Sequence, residues 1–282
     1  MKTDQVIFIY CVCDDLLRHL GVQDDLQSKM SSAEIICVAV TAAWWFQGRI
    51  SSARLFLMSH GYIKNMLSHG RLNRRMLAID QDIWQLLLTL VSRCLKASSE
   101  DEEYVVDSFP VPACHPCRSW RCKLFTGKKF LGYCASKKMR YFGLKAHILV
   151  SSEGHPIEFI LTPASRADVK GLELAHLNLS PGSFIYADRG YTSYGLEDEL
   201  RDIEEIYLIA QRKGNSRRQH SLSRSFLQEK KRKVVETVIS QITRRMPRGI
   251  AARSAEGFSL RVFLFVLSYS FEKLEQTGRS VG

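Results

Sequence analysis

The 282-residue chain carries 40 Lys and Arg against 29 Asp and Glu, a formal net charge of +11, with 45% hydrophobic residues. That hydrophobic content supports a folded core and excludes a wholly disordered chain, while the basic excess favours a polyanionic partner, because neutralising phosphates releases counterions. Val262–Phe271, the longest apolar run, falls far short of the roughly 20 residues a spanning helix needs, so no membrane partner is expected. Val6–Cys13 is apolar, but Asp14 and Asp15 follow it without a cleavage pattern, so no export signal is read. The expectation is a soluble, cytoplasmic protein whose eight cysteines, irregularly spaced, stay reduced.

Residues 1–99 are expected to form an all-helical region. Ser32 is placed as the cap of a helix through Ile35, Val38, Ala39 and Trp44, apolar nearly all round and therefore buried. A short helix follows at Ser52–Met58, and Leu72–Leu95 reads as one long helix from the spacing of Met76, Ile79, Ile83, Leu87 and Leu90. Ser98, Ser99 and the acidic residues Glu100–Glu103 mark a boundary.

Residues 100–282 read as a second region with short strands. Tyr104–Phe109 is a strand that the prolines at 110 and 112 should end. Tyr141–Val150 and Pro156–Leu161 flank a turn-like Ser-Ser-Glu-Gly-His and predict a hairpin. Helices are expected at Val169–Leu177, Tyr194–Ile203 and about Phe226–Arg245, alternating with strands at Ser183–Ala187 and Glu205–Ala210. This order fits an α/β fold of the ribonuclease-H-like type, a mixed sheet covered by helices.

In that order Asp107 ends the first strand and Asp188 ends the strand after the first crossover helix, which puts both at one edge of a parallel pair. Glu236 lies on the last helix of the set, at the margin of a stripe of Val234, Val235, Val238, Ile239 and Ile242 and on one line with Arg232 and Ser240. Three such carboxylates suit phosphodiester chemistry, where two divalent ions about 3.5–4 Å apart stabilise both the attacking and the leaving oxygen. Pattern alone does not single them out from 29 acidic residues: Asp107 could equally cap a loop, Asp188 open a turn, and Glu236 sit on a solvated face.

At these same residues the sequence resembles the DDE transposases of bacterial insertion sequences, most closely the IS982 family. The resemblance is carried by six blocks in order: Val106–Pro112, Tyr141–His147, Phe159–Lys170, Ile185–Tyr191, Arg232–Thr237 and Gly257–Phe265. It implies a metal-dependent endonuclease and strand-transfer enzyme with Asp107, Asp188 and Glu236 as the catalytic and metal-holding triad. The implied cofactor is two Mg²⁺ ions, with Mn²⁺ able to substitute. Water would attack at the element's end, and the freed 3′-hydroxyl would attack target DNA. The implied partner is double-stranded DNA, both terminal inverted repeats and target, bound by a homodimer or higher oligomer at the bacterial nucleoid. Arg232 maps onto a family phosphate contact; Lys230, Lys233, Arg189, Arg217, Arg218 and Arg244 are further DNA-binding candidates. Related enzymes carry Tyr and Lys where this chain has Glu229 and Thr243. Two alternatives stay open: a nuclease without strand transfer, and a retired DNA-binding protein.

Cys114, Cys117, Cys122 and Cys134 with His115 lack zinc-ribbon spacing and read as ordinary thiols. Asp168 either orients a site residue or caps the helix beginning there, the cap being preferred. His147 reads as a packed core residue, as do Trp44 and Trp45. Arg49, Arg54, Arg71, Arg74 and Arg75 are candidate readers of DNA ends, a solvated helix face being the equal alternative.

Overall fold

The computed structural model describes residues 2–96, 102–135 and 137–280; most of the boundary expected at 98–103 lies outside them. The chain divides into two compact units, one of Met1–Leu95, Arg244–Ala252 and Glu256–Gly282, the other of Lys96–Thr243 with Arg253–Ala255.

The first unit is helical. Helices α1 (Lys2–His19), α2 (Ser32–Trp45), α3 (Ile50–Ser59), α4 (His69–Ala78) and α5 (Gln81–Lys96) follow in order. α2 is buried along almost its whole length, as its all-round apolar sequence requires. Its cap is Ser31, not Ser32: the Ser31 hydroxyl accepts from the Glu34 amide and the Glu34 carboxylate accepts from the Ser31 amide. The single helix expected over 72–95 is broken. Ile79 turns extended, and the Asp80 carboxylate accepts from the Asp82 amide at 3.0 Å to begin α5. The last helix, α9 (Ala255–Ser280), belongs to this unit. Gln5 donates to Glu275 at 2.9 Å, Arg261 donates to Asn73 at 3.1 Å, and the Phe8 and Phe271 rings meet edge to face at 6.2 Å. Sequence reading grouped these C-terminal residues with the strands; the apolar run 262–267 is instead buried with the N-terminal helices.

The second unit is α/β. Its strands are β1 (Glu103–Cys114), β2 (Leu131–Cys134), β3 (Met139–Ser151), β4 (Pro156–Pro163), β5 (Phe184–Ala187) and β6 (Tyr207–Ala210); its helices are α6 (Asp168–Leu172), α7 (Tyr194–Glu204) and α8 (Leu222–Arg245). The sheet is mixed. β3 lies antiparallel to β1, β2 and β4, whereas β5 and β6 run parallel to β1 in the order β3-β1-β5-β6. The strand β2 carried no signal in the sequence, and α6 is shorter than the expected 169–177.

The prolines do not end β1, which pairs with β3 through Pro110↔Lys145 and Pro112↔Gly143. The reason is one-sided pairing. β5 reaches only as far as Val106↔Ala187, so beyond Val106 one side of β1 is open. Pro110 and Pro112, two residues apart, can both turn their missing N–H toward that open side.

Strand alternation then assigns the faces. Tyr104, Val106, Ile185, Ala187, Leu208 and Ala210 form one core with residues of α6 and α7, including Leu172, Leu196 and Leu200. Residues of opposite parity, Val105 and Asp107 on β1 and Tyr186 on β5, point to the other face.

Candidate active site

Asp107 and Asp188 each stand one residue beyond the last rung of the parallel ladder, Val106↔Ala187. Each is fixed by a backbone amide on its first oxygen: the Ser108 N–H donates to Asp107 Oδ1 at 2.7 Å and the Gly190 N–H donates to Asp188 Oδ1 at 2.8 Å. Their second oxygens converge on Arg232, whose Nη2 lies 3.6 Å from Asp107 Oδ2 and 3.7 Å from Asp188 Oδ2. Glu236, one helical turn on along α8, brings Oε1 to 3.5 Å from the same nitrogen. The three carboxylates that the resemblance marks as a triad are thus gathered around one guanidinium group.

These separations are too long for hydrogen bonds, and Arg232 Nε is buried without a partner. The arginine acts as a shared counter-ion rather than a clamp. Three carboxylates face it, so negative charge is in excess. Asp107 feels this most: burial pushes its carboxyl up to about 6, with Asp188 and Asp168 adding to the rise and the Ser108 amide and Arg232 opposing it. Glu236 is the exposed member, its side chain 58% accessible.

Gln228 sets the position of α8. It is buried, and its side-chain amide donates to the carbonyl of Ala187 at 2.6 Å and of Ile209 at 3.0 Å, the ends of β5 and β6. Arg232 is one turn along the helix from it, and Glu236 two. Lys231 pairs with Glu103 at the start of β1. Sequence reasoning missed Gln228. Its one available signal was a polar residue eight positions before Glu236, on the same helical line.

Asp168 works from the opposite face. It is the first residue of α6, whose start is at Ala167 and has no side-chain cap bond, so the preferred capping role is not what the structure has. Asp168 Oδ1 accepts from the Ser108 hydroxyl at 2.8 Å and pairs with Lys145 at 3.1 Å. It thereby holds the residue next to Asp107. A side chain at 190 would come within 2.5 Å of Asp168 Oδ2, so Gly190 permits this carboxylate to sit against the Asp188 turn. Behind it His147 is buried between the Tyr191 hydroxyl at 3.2 Å and the Thr162 hydroxyl at 3.0 Å. Burial, and then Lys145, lower its basicity to about 4 against the pull of Asp168.

The basic candidates separate. Arg212 is buried in a two-bond pair with Glu197 at 2.7 and 2.5 Å, and Arg218 forms a similar pair with Asp198 at 2.8 Å on both bonds. Arg189, Arg217, Lys230, Lys233 and Arg244 are exposed. In the helical unit Arg54 donates to the Leu67 carbonyl and Arg75 to Ser28 and Asp24, while Arg49, Arg71 and Arg74 are exposed. None of the eight cysteines is in a disulfide. Among the described residues no three His, Cys, Asp or Glu side chains are arranged as they stand to hold a metal ion, and no helix is long and apolar enough to cross a membrane.

A basic α/β chain that gathers carboxylates at the carboxyl edge of its parallel strands, beside a cationic helix, has the make-up of a nucleic-acid phosphoryl-transfer enzyme. The family model of the transposase DDE domain matches residues 98–271, more than half of the chain, and the chain belongs to that family. Transposase activity on DNA follows for the family in general, as does dependence on divalent metal. No curated protein and no solved structure matches the chain.

Proposed function

We propose that the protein is an insertion-sequence transposase of the IS982 type that cleaves DNA at the element's ends and joins the freed 3′ ends to target DNA. The observation that carries this reading is the convergence of Asp107, Asp188 and Glu236 on one cation. The sheet, in which β1 has antiparallel β3 on one side and parallel β5, then β6, on the other, suits a ribonuclease-H-like assignment.

The three side chains offer hard carboxylate oxygens, the donor type that Mg²⁺ or Mn²⁺ takes. A countercharge is wanted there, since Asp107 is largely withdrawn from water and one arginine, Arg232, is shared among three carboxylates. When bound, two such ions supply Lewis-acid stabilisation of charge on the attacking and leaving oxygens. The chain's own part is positional. The backbone amides on Oδ1 leave Oδ2 of Asp107 and Asp188 as the holding atoms, and Glu236 closes the group from α8. With the carboxylates holding cations, Arg232 would be placed to take a substrate phosphate. Lys230, Lys233, Arg189 and Arg217 extend that grip along the DNA backbone, and the exposed Arg49, Arg71 and Arg74 are candidates for reading the ends. Joining two ends calls for at least a dimer on DNA.

The test incubates purified protein with a labelled oligonucleotide carrying the element's end and a supercoiled plasmid, in Mg²⁺, in EDTA and with Asp188→Asn. The expected result is joined product that requires Mg²⁺ and disappears in the variant. Metal-dependent cleavage without joining would mark a nuclease instead, and binding with neither would mark a retired DNA-binding protein.

A further inference from the structure

Between Asp107 and Glu153 the sequence contains no acidic residue, while eight of the 26 residues from 115 to 140 are Lys or Arg. All eight are exposed, among them Arg118, Arg121, Lys123, Lys128 and Lys129. The segment joins β1 to β3. β1 runs outward past the Asp107 edge, so the segment begins roughly 26 Å beyond that carboxylate at about 3.3 Å per residue. It lies at the same end of the sheet as the site.

Near its start is Trp120, 75% exposed and the most accessible Trp, Tyr or Phe among the described residues. Exposure of an indole on this scale has no packing explanation, yet the ring is not loose. Its Nε1 donates to the Cys117 carbonyl at 3.1 Å, and the Arg121 guanidinium carbon lies 4.3 Å from the ring centroid. A hydrogen bond at its edge and a cation over its surface hold the indole in one orientation while most of it meets solvent. Such a held, open aromatic surface amid exposed Lys and Arg side chains is what base stacking on a phosphate-bearing strand requires.

We propose that Trp120 is a stacking platform for an unpaired DNA base, with the surrounding Lys and Arg side chains holding the strand's phosphates. The occupant is single-stranded or end-opened DNA rather than intact duplex, because a base inside the helix has no free face to offer. The proposal deepens the transposase reading by naming a strand state that the protein binds outside its carboxylate site.

The test measures fluorescence anisotropy of three labelled probes of equal length: a single strand of thymidines, an abasic sugar–phosphate strand and a blunt duplex. Wild type, Trp120→Ala, Trp120→Phe and Asp188→Asn are compared at several salt concentrations. Stacking of one base corresponds to about 5- to 150-fold in affinity. Wild type should therefore prefer the thymidine strand to the abasic one by a factor in that range. Trp120→Ala should lose the preference, Trp120→Phe should keep most of it, and the salt slope should not change. Because the side chain is mostly exposed, the alanine variant should keep the wild-type circular dichroism spectrum. A wild type that does not distinguish the strands, or an alanine variant that still does, would overturn the proposal. So would binding to phosphatidylserine vesicles that the thymidine strand fails to compete away. Asp188→Asn should retain the base preference. Base preference in a protein that never cleaves or joins DNA would therefore refute the transposase reading and leave this one standing.

Discussion

Asp107 and Asp188 are held alike: each gives Oδ1 to a following backbone amide, at 2.7 and 2.8 Å, and turns Oδ2 toward the same arginine nitrogen, at 3.6 and 3.7 Å. The adjacent strands set this pairing, because the Val106↔Ala187 rung puts the two residues side by side. Glu236 has no such amide and depends on the placement of α8.

Arg232 occupies the point at which cations are expected to bind, so removing its charge should free that point. Arg232→Gln should bind Mn²⁺ about 3- to 10-fold more tightly in the absence of DNA, on the order of 1 kcal/mol, as read by calorimetric titration. The same variant should cleave DNA more slowly, having lost a phosphate contact. Unchanged or weaker Mn²⁺ binding would place Arg232 outside the cation site.

Gln228 ties α8 to the ends of two strands. Gln228→Leu leaves the carbonyls of Ala187 and Ile209 without that donor, and should lower stability by about 1–3 kcal/mol in urea unfolding. Metal-dependent cleavage should slow while DNA affinity stays at the wild-type level, because the phosphate-binding side chains are untouched. Wild-type stability together with wild-type cleavage would show that the bonds position nothing.

Asp168 and Gly190 should act as one device. A methyl group at 190 would stand 2.5 Å from Asp168 Oδ2 and drive the carboxylate from its place. Gly190→Ala and Asp168→Asn should each cut cleavage by roughly tenfold or more, about 1.4 kcal/mol on the barrier. The double variant should be little worse than either alone, because neighbouring groups in one network are not additive. Multiplying effects would separate the two roles.

Two groups largely withdrawn from water make opposite contributions to stability with pH. His147 has a folded value of about 4 against an ordinary 6.5, so its contribution is fully present above 6.5 and is lost as pH falls toward 4. Asp107 is raised from 3.8 to about 6, so its charged form is disfavoured in the fold and stability is lost as pH rises from 3.8 through 6. In EDTA, Asp107→Asn should therefore melt above wild type at pH 8 and close to it at pH 3.5. His147→Gln should flatten the loss of melting temperature between pH 6.5 and 4. An Asp107→Asn difference independent of pH would show that the carboxyl is not charged against its burial.

Alternation and helical spacing, which report the backbone near each residue, were enough to find the strands bearing Asp107 and Asp188 and the helix bearing Glu236. They also aligned Arg232 with Glu236, since four residues make about one helical turn. What they could not report was which side of an element another element would cover. The prolines at 110 and 112 looked like strand breakers, but β1 has no partner on one side beyond Val106. Arg218 read as a DNA-binding candidate until Asp198 on α7 proved to be its partner. α9 follows the strands in sequence, yet its apolar stripe is buried with the helices of residues 1–95. Asp168 had a capping position by sequence, and only the approach of Ser108 and Lys145 from strands 60 and 23 residues away in the chain gave it another task. Local sequence determined the elements and the chemistry they carry; contacts between residues far apart in the chain decided which charges are left open to a substrate.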